Sequence, residues 1–250
     1  TIRSLVIIKK KGEQWGDKEI LSFSGNYNDI EPFFSADGSK LFFASNRPLG
    51  KDSTRTDYNI WYAEQVNGKW NNPIALDTLV NSTGDEFYPS VSSNGNLYFT
   101  ATRTDGIGRE DIFVSTFSKG KYSLPMPLDS AVNSKAFEFN AFISPDEDLL
   151  IFSSYGRPDG LGGGDLYYSK KDKTGKWREA ENLGELINSD KLDYCPFIDI
   201  PRNNFYFTSD RAKTPGNRIK TVTELTNEAN KVLNGMGNIY RINMAKLNLN

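Results

Sequence analysis

The chain has 250 residues, with 30 Lys+Arg against 32 Asp+Glu, a single Cys and no His. The missing His excludes Ser-His-Asp and Cys-His catalysis, HExxH zinc sites and imidazole metal cages, and the lone Cys195 excludes an internal disulfide. Near-neutral charge argues against a nucleic-acid binder, and no apolar run approaches the roughly 18–20 residues of a membrane-spanning helix.

Residues 4–21 read as two strands, the outer half of a unit whose landmarks then recur. An aromatic (Trp15, Trp70, Tyr122, Trp177) is followed six positions on by Leu (Leu21, Leu76, Leu128, Leu183) and five further by Asn (Asn26, Asn81, Asn133, Asn188). An acid comes next, Asp29, Glu86, Glu138 or Asp193, just ahead of an apolar stretch with Pro32, Pro89 or Pro196, and Ala141 in the third copy. The period is about 54 residues, the range of one propeller blade per repeat.

Four strands are expected in each repeat. Strand a is the run after the acid, such as Pro32-Phe33-Phe34 or Pro196-Phe197-Ile198. Asp37-Gly38 and Asn94-Gly95 then supply the positive φ of a tight hairpin. Strand b is aromatic-rich: Leu41-Phe42-Phe43, Leu97-Tyr98-Phe99, Leu150-Ile151-Phe152 and Phe205-Tyr206-Phe207. Strand c opens on Asn59, Asp111, Asp165 or Asn238, and a second turn returns the chain along strand d through the Trp/Tyr to the Leu.

The fold class is therefore all-β, a β-propeller of four-stranded antiparallel blades in one domain, 1–250. A partial blade (1–28) precedes blades at about 29–84, 85–136 and 137–191, and the last blade spans 192–250. Five blades are expected with the N-terminal one incomplete, which implies further residues upstream of Thr1. A four-bladed ring closed by the N-terminal strand is the alternative.

An insertion at 212–236 interrupts the last blade. Thr221-Val222-Thr223-Glu224 fits a capping box, and Val222, Leu225, Ala229 and Val232 share one helical face before Asn234-Gly235. A short helix over one propeller face is expected, either covering apolar surface or contributing to a binding site.

The run from Glu31 through Asp37-Gly38 and Leu41-Phe42-Phe43 to Arg47, followed by Tyr58-Asn59-Ile60-Trp61-Tyr62, resembles the WD40-like repeat of TolB-like propeller proteins. Asn67-Gly68-Lys69-Trp70 and Gly162-Gly163-Gly164-Asp165-Leu166-Tyr167 resemble the subgroup found in bacterial cell-envelope proteins. The resemblance implies an exported, periplasmic or outer-membrane-associated setting and a scaffold or binding role, and does not imply a known reaction; no cofactor is expected. Two copies depart from the pattern: Glu147 stands where Gly is expected, and Asp199-Ile200-Pro201-Arg202 replaces the fourth a–b turn.

Strand directions bring the start of a, the end of b and the start of c to one face. There Asp29, Glu86, Glu138 and Asp193 should meet Arg47, Arg103, Arg157 and Arg211 as a ring around the channel mouth. These eight are the candidate binding residues, although a pair repeated in every blade also suits fold maintenance. No catalytic residue is assigned. Asp159 and Asp165, flanking Gly160–Gly164, are weak candidates for a cation loop. Cys195 reads as a small core residue. The expected function is a non-catalytic binding propeller that takes a protein or glycan on its loop-rich face. The alternative is a glycosidase-like enzyme using mouth carboxylates, which needs no His.

Overall fold

The structure, a computed structural model, describes residues 2–50, 54–213, 218–247 and 249. A hairpin of β1 (Val6–Lys11) and β2 (Gln14–Ile20) opens the chain as a two-stranded sheet. The first blade joins β3 (Asp29–Phe34), β4 (Lys40–Ser45) and β5 (Asn59–Val66), with β6 (Lys69–Trp70) and β7 (Ile74–Ala75) both on β5. The second joins β8 (Glu86–Val91), β9 (Leu97–Ala101) and β10 (Asp111–Ser115). Its return leg is the tip hairpin β11 (Phe117–Ser118) and β12 (Lys121–Tyr122), then β13 (Met126–Pro127) against β10. The third comprises β14 (Phe137–Ile143), β15 (Leu149–Tyr155), β16 (Asp165–Lys170) and β17 (Glu181–Asn182). The fourth has β18 (Asp193–Asp199), β19 (Asn204–Ser209) and β20 (Asn238–Asn243). The protein is thus an all-β propeller in a four-bladed arrangement, with 6% helix. The unit expected as an incomplete fifth blade is the β1–β2 hairpin.

The core lies between blades. Phe42, Ile60 and Leu76 of the first blade pack on Val91, Leu97 and Phe99 of the second. The same seam recurs between second and third blades and between third and fourth. The hairpin contributes Leu5 and Leu21 against Leu41, Phe43 and Trp61. The middle strands β4, β9 and β15 therefore pack on a neighbouring unit on both faces and are apolar without alternation, whereas β19 packs on the third blade and alternates buried with half-buried residues.

The repeating Leu and Asn have distinct jobs. Leu21, Leu76 and Leu128 are buried, and Leu183 is half-buried. Asn133 latches strand d to strand c: its Oδ1 accepts from Ile112 N–H (2.9 Å), and its Nδ2 donates to the carbonyls of Ile112 (3.0 Å) and Leu128 (2.8 Å). Asn81 repeats all three contacts, and Asn188 binds Leu166 in the same way. Asn26 does not; in the hairpin Ser24 Oγ accepts the equivalent Leu5 N–H. The aromatic landmarks are less buried than their spacing suggests. Trp15 is 69% exposed, because strand d lies at the outer rim, and Trp70, Tyr122 and Trp177 are half-buried there.

Both departures in the a–b turns are accommodated locally. Glu147 takes the positive φ (59°) that Gly38 (70°) and Gly95 (85°) supply elsewhere. Its carboxylate offsets that strain by accepting from Ser92 Oγ (2.7 Å), Asn96 Nδ2 (2.7 Å) and Tyr98 Oη (2.9 Å) of the preceding blade. In the fourth blade a 3-10 turn, Ile200–Arg202, closes on Asn203 at φ 53°.

Of the insertion, residues 214–217 lie outside the described residues. Its helix, α1 (Val222–Ala229), has the expected capping box of Thr221 and Glu224. It does not cover apolar surface. No residue of α1 is buried, and Val222 and Leu225 are 80% and 56% exposed. The insertion returns to the blade through the Ala212–Asn234 bridge, which holds its base and leaves the helix outside the core.

Candidate functional site

The acid–arginine ring forms in every blade. Arg47 Nη2 lies 2.6 Å from Asp29, Arg103 Nη2 3.3 Å from Glu86, Arg157 Nη2 3.2 Å from Glu138 and Arg211 Nη2 3.0 Å from Asp193. All four carboxylates are fully buried. Each also accepts from a serine of the preceding connection: Ser24, Ser82, Ser134 or Ser189. Each guanidinium lies over one aromatic of strand b and one of strand c. Arg157 stands 5.5 Å from Phe152 and 4.9 Å from Tyr167, and Arg211 5.3 Å from Phe207 and 4.8 Å from Tyr240. A planar, weakly hydrated cation suits that seat, whereas an ammonium would lose the stacking. At Glu86 burial outweighs the bonds from Ser82 and Arg103 and holds the carboxyl above its usual range.

The polar residues opening strand c are tied inward as well. Asp111 accepts from Ile107 N–H (2.8 Å) and Gly108 N–H (3.0 Å), and Asp165 accepts from Leu161 N–H and Asn182 Nδ2 (3.0 Å). Asp159 accepts from Tyr167 Oη at 2.9 Å. The aspartates weighed as a cation loop thus organise their own glycine turns. Among the described residues no group of three or more His, Cys, Asp or Glu comes together.

A second constellation went unread in the sequence. Two residues after each mouth acid, strand a carries a β-bulge whose residue is left-handed in all four blades: Glu31 (φ 58°), Tyr88 (52°), Asn140 (55°) and Cys195 (50°). The four line an axial cavity of about 230 Å³, with Phe33, Ala141 and Phe197 beside them. Non-glycine residues rarely adopt this conformation, and here the backbone repeats while the side chains differ. Cys195 is therefore not a core residue. It opens onto the cavity, yet protein crowds it so closely that burial pushes its thiol to about 12. Glu31 accepts from Tyr88 N–H at 2.7 Å, and burial raises its carboxyl to about 8. Asn140 Nδ2 lies 2.9 Å from Cys195 Sγ. The available signal was the position itself, a different residue in each repeat beside an unvarying acid.

Blades around an axis, a buried ionic ring and an axial cavity define a β-propeller of the TolB-like kind in fold. No family model and no curated protein matches the chain. Among solved structures, a TolB-type protein of Agrobacterium tumefaciens is similar at 14% identity and TM-score 0.54, over 82% of this chain and 62% of that one. TolB of Acinetobacter baumannii is similar at 15% identity and TM-score 0.50, over 97% of this chain and 49% of that one. The chain thus spans less than two thirds of either TolB protein. The GH43 endo-arabinanase of Bacillus licheniformis is similar at 14% identity and TM-score 0.55, over 96% and 86%. At these identities the likeness is one of fold.

Proposed function

We propose that the chain is a non-catalytic binding propeller of a bacterial cell envelope, which holds a protein partner on the loop-rich mouth. The observation that carries this reading is the insertion beside the mouth. Val222, Leu225, Val232 and Met236 hold their apolar surface in water, and α1 has no packing role to explain them. The buried, arginine-paired ring then acts as the frame of that mouth. The fold shared with TolB proteins supports the exported setting.

A carbohydrate-active enzyme is the second reading, favoured by Glu31, whose raised carboxyl suits a general acid. It lacks a counterpart, since Glu31 is the one carboxyl among the described residues lining the axial cavity, and glycoside hydrolysis ordinarily needs two.

Crosslinking of the purified chain in envelope extract tests the two together. Val222→Asp with Leu225→Asp should abolish a specific protein adduct that Glu138→Gln retains. Adducts indifferent to the insertion, glycan binding in their place, or turnover of arabinan lost in Glu31→Gln would each overturn the proposal.

A further inference from the structure

Strand a runs from its acid at the mouth to the a–b turn, so these turns lie on the opposite face of the propeller. On that face the seams between blades are closed differently. Between the second and third blades Glu147 reaches back to Ser92, Asn96 and Tyr98. Between the third and fourth, Tyr168 is buried in one cluster with Leu247, and Leu249 packs against that cluster. Between the first and second, Gly95 stands in the place of Glu147 and sends no side chain back. A Cβ there would come 2.9 Å from Cδ1 of Phe117. The result is a cleft of about 520 Å³, inside the roughly 300–1,000 Å³ range of small-molecule sites.

The walls of this cleft are aromatic. The first blade supplies Phe42 and Tyr62, with ring centroids 5.8 Å apart, and the second supplies Phe117 and Tyr122 at 5.0 Å. Asn96 Oδ1 accepts from Phe117 N–H at 2.8 Å, which pins the second wall. The Tyr168 hydroxyl donates to Glu181 at 2.8 Å, whereas the Tyr62 and Tyr122 hydroxyls bond no described residue. Burial raises the Tyr122 phenol, so it stays protonated and can both donate and accept. Charges at the rim balance: Lys40 and Lys121 stand against Asp37 and Asp77, and Lys40 also pairs with Glu64 at 3.1 Å.

We propose that this cleft binds a neutral saccharide of about one or two rings. A sugar presents an apolar C–H face to the aromatic walls and hydroxyls to the two phenols and the aspartate oxygens. A wholly apolar ligand would leave the phenols unpaired, and a charged one would meet as many like charges as opposite ones. The cleft opens away from the ring and the insertion, so the site is independent of the protein partner proposed for the mouth.

The test is calorimetric titration with cellobiose, maltose and chitobiose, beside glucuronic acid and the dipeptide Phe-Ala. One saturable site per chain is expected for at least one neutral disaccharide. Tyr62→Phe with Tyr122→Phe removes both hydroxyls, keeps both rings and should weaken that binding at least about tenfold. Phe117→Ala should weaken it too. Tyr155→Phe on the mouth side and Val222→Asp with Leu225→Asp should leave it unchanged. Unchanged circular dichroism of the double Phe variant separates loss of the site from loss of the fold. No saturable saccharide binding by the folded wild-type chain, full affinity in the double Phe variant, loss of binding in the insertion variant, or tighter binding of glucuronic acid or the dipeptide would each overturn the assignment.

Discussion

Arg157 Nη2 lies 3.2 Å from a fully buried Glu138 oxygen, and the same nitrogen also donates to the Val132 carbonyl. One guanidinium thus joins strand a, strand b and the preceding connection. Glu138→Gln leaves that cation without its counter-charge and should cost about 3–5 kcal/mol in urea unfolding. It should leave any ligand binding intact. Unchanged stability with lost binding would make the ring a site.

The Asn133 latch gives a separate expectation. Asn133→Ala strands the Ile112 N–H and the Leu128 carbonyl, while the Ile112 carbonyl keeps the Leu128 N–H, and should cost about 2–4 kcal/mol by the same measurement. Asn26→Ala should be within about 0.5 kcal/mol of wild type, because Asn26 is exposed and Ser24 holds that place.

Leu128 is buried between the second and third blades, so Leu128→Ala should cost about 2–5 kcal/mol. A neutral result would contradict the register of β13 against β10.

Glu31 makes stability fall with rising pH. Its carboxyl is raised from 4.5 to about 8 on folding, so the neutral acid favours the folded chain. That contribution is complete below about pH 4.5 and is lost as pH rises through 8. The full shift corresponds to about 5 kcal/mol; contact with the open channel lowers the expected loss to about 1–3 kcal/mol. Glu31→Gln should flatten this part of the stability–pH curve.

Glu147→Gly should be tolerated better than Glu147→Ala. Both lose the bonds to Ser92, Asn96 and Tyr98, but only glycine relieves the left-handed φ of 59°. A difference of about 1 kcal/mol between the two variants is expected from thermal melts.

Much of this protein is written in one dimension. The aromatic–Leu–Asn–acid order determines the blade, because each landmark answers a local demand: a turn, a latch, a strand start. The ring pairs were also legible, since antiparallel hairpin geometry makes the start of strand a the neighbour of the end of strand b. Burial of the landmarks was not legible, as Trp15 and Trp177 share a spacing while one faces solvent and the other half-packs on a neighbouring blade. The helix of the insertion was visible in its capping box, but whether its apolar face met protein or water depended on how its base is anchored. The axial residues escaped for a further reason. Glu31, Tyr88, Asn140 and Cys195 have no common chemistry to detect, and only the closing of four blades around one axis brings four unlike side chains into a single cavity.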